Sequence, residues 1–84
     1  FHITAEFDHV NGLIIGSKVI LSKNGVKLGK VEEFKFLEDY RVEVVMVIDS
    51  QFDFLKDEDK LEFSIGSTGM FEPCMYIMLE NDIP

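Results

Sequence analysis

Apolar and polar residues alternate along most of this chain with the period of two that belongs to strands, and the alternation breaks at glycines. Phe1, Ile3, Ala5 and Phe7 against His2, Thr4 and Glu6 predict a half-buried strand, ended by Asp8-His9-Val10-Asn11-Gly12. Leu13 to Gly16 reads as an apolar connection containing a single helical turn, followed by a short strand from Lys18 to Leu21. Ser22-Lys23-Asn24-Gly25 carries the strongest hairpin signal, because Asn-Gly accepts the positive φ of a tight reversal, and a second short strand follows at Val26 to Leu28. From Gly29 to Leu37 a longer strand is expected, but its alternation slips at Glu32-Glu33. A β-bulge there puts Val31, Phe34 and Phe36 on one face.

Glu38-Asp39 makes the next reversal. Tyr40 to Asp49 is the clearest strand, with Val42, Val44, Met46 and Ile48 on one side and Val45 and Val47 calling for cover on the other. Gln51 to Asp59 is a polar connection with Phe52, Phe54 and Leu55 embedded in it. It is too short for a self-supporting helix, and its apolar residues read as plugs at a barrel end. Lys60 to Ile65 alternates again until Gly66-Ser67-Thr68-Gly69 breaks it. The final strand, Cys74 to Leu79, is apolar on both faces. In so small a domain this marks Cys74, Tyr76 and Met78 as candidates for contact with a neighbouring subunit. Seven short strands with glycine turns and no helical period predict an all-β fold, a small closed or nearly closed seven-stranded barrel. Residues 1–80 form its single domain, and residues 81–84 an exit segment toward a further element.

Size and charge narrow the functions open to it. An 84-residue core buries only about 60% of the surface its unfolded chain exposes, so partners are expected to contribute stability. No apolar run approaches the roughly 20 residues of a membrane-spanning helix. With eight basic and sixteen acidic residues the net charge is −8, which excludes phosphate-backbone recognition as a leading function and disfavours adhesion to anionic headgroups. It leaves the apolar tails of lipids open as partners. The chain opens at Phe1 without an initiating methionine or signal segment, so a longer parent chain is expected.

Catalytic and metal chemistry find little support. Cys74 beside Pro73 has no base supplied by the sequence and reads as a small buried hydrophobe. His2 and His9 bracket Glu6 and Asp8, but their spacing matches no strong ligand signature, and solvated strand and turn residues are the better reading. Asp49, Asp53, Asp57, Glu58 and Asp59 fail the EF-hand pattern, since Phe54 stands where glycine is required and Lys60 where the bidentate glutamate belongs. No catalytic residue, metal or cofactor is assigned, and enzymatic activity is not expected.

Three blocks carry a family likeness. Phe7-x-x-Val10-x-Gly12-Leu13-x-x-Gly16-x-x-Val19, then Gly25-Val26-x-x-Gly29-Lys30-Val31, then Gly69-Met70-Phe71 ahead of an apolar strand resemble the MCE (mammalian cell entry) domain, from about Ile3 to Leu79. The resemblance implies a seven-stranded barrel that assembles into a ring, usually a homohexamer, around a central pore. Such domains belong to lipid transporters of the bacterial periplasm, anchored to the inner membrane by an upstream helix and driven by ABC permease and ATPase subunits. Plastid-envelope relatives are the alternative. The family's last inter-strand loop carries apolar residues into the pore, so Gly69, Met70 and Phe71 are the pore-lining candidates and phospholipid or another hydrophobic lipid the expected ligand. Two departures stand out: Lys23-Asn24 lengthens the turn before Gly25, and Glu72-Pro73 replaces the second loop glycine. The competing expectation is a stand-alone β-barrel module that binds a protein partner through a strand edge or the two-sided apolar strand.

Overall fold

The computed structural model describes residues 1–58, 60–69 and 71–79. Six strands form one mixed sheet: β1 (His2–Phe7), β2 (Lys18–Leu21), β3 (Lys27–Phe36), β4 (Val42–Ile48), β5 (Leu61–Ser67) and β6 (Pro73–Leu79). Their order across the sheet is β1-β4-β3-β2-β6-β5, antiparallel throughout except for the parallel pair β2–β6. The sheet curls into a half barrel. Among the described residues β1 and β5 are its two edges and no ladder joins them, so the expectation of a closed seven-stranded barrel is corrected to an open sheet of six.

Gly29 explains the difference in count. It does not end a strand; the two strands expected on either side of it are one continuous strand, β3 (Lys27–Phe36), with a register shift opposite Val19 and Ile20. At that shift Leu28 is fully buried. The bulge presses Gly29 so close to β4 that a Cβ there would sit 1.9 Å from the Val47 carbonyl oxygen. Only glycine tolerates that approach. The second bulge falls where the alternation slipped: Val31 pairs with Met46 and Glu33 with Val45, so Glu32 is the extra residue. Val31, Phe34 and Phe36 accordingly share the face of Met46, Val44 and Val42.

The inner face gathers Val42, Val44, Met46 and Ile48 of β4 with Val19, Leu21, Leu28, Val31, Met75 and Ile77. Phe1, Ile3, Ala5, Phe7, Phe63 and Leu79 pack around them. A 3₁₀ helix, Ser50–Asp57, crosses one end and drives Leu55 into the core, with Phe52 half-buried beside it. The plug reading of this segment therefore holds for Leu55 and Phe52, while Phe54 stays largely exposed. On the outer face Val45 is buried between Thr4 and Glu33, its partners in the two ladders.

Two turns differ from expectation. The left-handed pair sits at Asn11-Gly12 (φ +48° and +87°), closed by the Leu13 N–H donating to the Val10 carbonyl at 2.9 Å, the signature of a type I′ turn. At Asn24-Gly25 only Gly25 has positive φ, and a four-residue loop joins Leu21 to Val26 while Asn24 Oδ1 accepts the Val26 N–H. Asp59 and the exit segment 81–84 lie outside the described residues.

Candidate functional site

Strand direction collects the loops. Because β2 and β6 are parallel, both begin at the same end of the sheet, and so the β1–β2 connection and the β5–β6 loop that precede them meet there. β3 ends and β4 begins at that end too, since Phe36 and Phe7 both pair with Val42. Among the described residues five large apolar ones are exposed on this rim: Ile14, Ile15, Phe36, Tyr40 and Phe71.

The β5–β6 loop is the tightest construction on the rim. Its stem closes with Ser67 opposite Pro73 and the Thr68 N–H donating to the Glu72 carbonyl at 2.9 Å. Within it the Phe71 N–H donates to the Thr68 carbonyl at 2.9 Å, and Phe71 itself takes φ +62°. A bulky residue in the left-handed region costs about 1–2 kcal/mol, a strain that persists only where the surrounding structure imposes it. The outcome is a phenylalanine 88% exposed to solvent. Gly69 is exposed beside it, with open space where a Cβ would project. Met70, the third loop candidate, lies outside the described residues.

Glu72 turns away from the loop tip. Its carboxylate stands 4.0 Å from Lys18 Nζ at the start of β2, which links the β5–β6 loop to the β1–β2 connection. Pro73 lies beneath Gly12, its Cγ 3.6 Å from where a Cβ on that glycine would be. The departure at Glu72-Pro73 thus becomes a seam between two loops.

Tyr76 braces the loop stem from outside. Its ring lies over Gly66, where a Cβ would come within 2.8 Å of Cε2, and its hydroxyl donates to the Ser67 carbonyl at 3.4 Å. Gly66 therefore does not break β5; it makes room for that ring. A side-chain hydrogen bond with Cys74, then the electrostatic influence of the thiol, then desolvation hold the Tyr76 phenol above its ordinary value. Cys74 is wholly buried within its own chain, whereas Tyr76 and Met78 are partly covered and face outward.

Of the other titratable candidates, His2 stays apart from the rim loops, while Glu6 and Asp8 lie where β1 runs into them. His2 Nε2 pairs with Glu32 Oε2 at 2.5 Å, reaching across β4 and not toward Glu6. Glu6 and Asp8 instead face Arg41, at 3.5 and 3.4 Å. Among the described residues no three His, Cys, Asp or Glu side chains converge in a metal-binding arrangement. No described helix is long and apolar enough to cross a membrane.

Ile14 and Ile15 lie on the rim within a segment whose apolar pattern alone indicates only a connection. The signal was present: two consecutive apolar residues in a glycine-bounded turn cannot both face one core. Leu13 takes the core position and the two isoleucines project outward.

Comparison with protein families matches residues 1–81 to the model described as MlaD protein. A search of curated proteins returns no match.

Proposed function

The chain belongs to the MlaD family of MCE domains, whose role is associated with lipid transport, and from that premise we propose that it binds lipid and passes it between membranes. In this reading several copies, six in the family's usual arrangement, form a ring in which the β5–β6 loops line a hydrophobic central pore. The parent protein stands in the bacterial periplasm, held to the inner membrane by an upstream helix and coupled to ABC permease and ATPase subunits. Tyr76 and Met78, with Cys74 beneath them, form part of the contact between copies. The domain performs no reaction on the lipid.

One observation carries the reading: Phe71 is held outward by a strained, doubly hydrogen-bonded loop, 88% exposed, with no polar group of its own to satisfy. Leaving such a ring in water forgoes about 1.5–3 kcal/mol relative to burial, so its placement favours an apolar partner in the working assembly. Each methylene of a lipid tail exposed to water costs about 0.8 kcal/mol, and a ring of Met and Phe side chains lowers that barrier without any catalytic group.

The test is the double substitution Met70→Asp with Phe71→Asp in the assembled transporter. Folding should be unaffected and lipid passage should stop; normal lipid flux removes the pore assignment. Native mass spectrometry of the purified protein adds an independent check, with a hexamer carrying phospholipid expected and a lipid-free monomer favouring a stand-alone interaction module.

A further inference from the structure

The β1–β2 connection presents Ile14 and Ile15 to solvent, each 64% exposed. They are held there rigidly: the Ser17 N–H donates to the Ile14 carbonyl at 3.0 Å, buried Ser17 returns the contact by accepting the Ile14 N–H on Oγ at 3.0 Å, and Gly16 at φ +93° completes the turn. Between this tip and the beginning of β6 runs a groove of about 300 Å³ whose walls include Ile14, Ile15, Ser17, Lys18, Glu72 and Pro73. Its two charged walls face each other at 4.0 Å, which leaves the groove without net charge. Phe71 precedes Glu72, one of its walls, in the chain.

We infer that Ile14 and Ile15 form a second lipid contact, taking an acyl chain into this groove beside the β5–β6 loop. The inference rests on the lipid-handling reading above and extends it to residues outside the loop. Charge bears on the occupant: the paired Lys18 and Glu72 present no net charge to attract an anionic headgroup, while the isoleucines and Pro73 offer apolar surface to a hydrocarbon tail. Size points the same way. A stable protein interface takes about 800 Å² from each partner, some 20–30 residues a side, whereas this groove of about 300 Å³ is on the scale of a small-ligand pocket.

The experiment places the photoreactive residue benzoylphenylalanine at Ile14, at Ile15, at Phe71 or at Val26 in separate copies of the full-length membrane protein. The samples are irradiated in native membranes and adducts identified by mass spectrometry. Val26 is exposed at the opposite end of the sheet and gives the background. Phospholipid adducts at Ile14 and Ile15 several-fold above Val26 are expected. Adducts at Phe71 with only background at Ile14 and Ile15 overturn this inference and leave the pore reading standing; background at all positions overturns both. Cross-linking of Ile14 or Ile15 to polypeptide makes the groove a protein contact and overturns it as well. In a parallel variant, Ile14→Gln with Ile15→Gln should lower copurified phospholipid several-fold at unchanged Tm, and an unchanged lipid content counts against the groove.

Discussion

Replacing Gly29 by alanine should be among the most damaging single changes available to this domain, although it adds one methyl group. That methyl would lie 1.9 Å from the Val47 carbonyl oxygen, 2.9 Å from the Val47 carbonyl carbon and 3.0 Å from the Ile48 Cα, all backbone atoms of the central strand β4. No rotamer relieves the clash. Restoring ordinary contact near 3.4 Å requires β3 and β4 to part locally, which stretches ladder hydrogen bonds each contributing about 0.5–1.5 kcal/mol and adds to the ~1–3 kcal/mol usual for overpacking. A loss of at least about 3 kcal/mol follows, from a domain whose whole stability at ~0.05–0.15 kcal/mol per residue is about 4–13 kcal/mol. At about 4–8 °C per kcal/mol, Tm should fall by about 12 °C or more. Gly66→Ala is the internal control: its Cβ meets only the Tyr76 ring, at 2.8 and 3.2 Å, and a side chain can swing aside, so about 1 kcal/mol is expected. Urea unfolding with linear extrapolation measures both, with m unchanged. A Gly29→Ala loss under 0.5 kcal/mol, or one smaller than that of Gly66→Ala, refutes the steric argument.

Leu55→Ala removes the plug that the 3₁₀ helix pushes into the core, and at 2% exposure the site cannot fill with water; a loss of about 2–5 kcal/mol is expected in the same unfolding assay. Deleting Glu32 should be tolerated, at a cost within about 1 kcal/mol beyond its exposed pair with His2, because the remaining alternation keeps Val31 and Phe34 facing the core; a collapse of folding by circular dichroism contradicts the bulge assignment. The raised Tyr76 phenol favours the folded state below the ordinary value of 10.0, and that contribution is lost as pH climbs from there through the folded value. Unfolding free energy should therefore decline over this alkaline window, and Tyr76→Phe should flatten the decline. An equal slope in the variant assigns the effect elsewhere.

Local rules determined much of this protein from its sequence. Period-two alternation located the strands, the slip at Glu32-Glu33 located a bulge, and the two-faced apolar pattern of Cys74 to Leu79, which suggested a neighbouring subunit, belongs to a strand laddered on both sides by β2 and β5. The glycine-spaced blocks were enough to indicate the family, and with it the loop that carries Phe71. What tertiary structure alone decided depends on atoms distant in sequence. Gly29 looks like a strand break until β4 is laid against it, and that contact turns seven expected strands into six. Gly66 looks like a turn until Tyr76 crosses it. The meeting of Ile14 and Ile15 with Glu72 and Pro73 follows from β2 and β6 running parallel, a pairing between residues more than fifty positions apart that no local pattern encodes. Conformational preferences act over a few residues, whereas close approach and shared ends are properties of the assembled sheet.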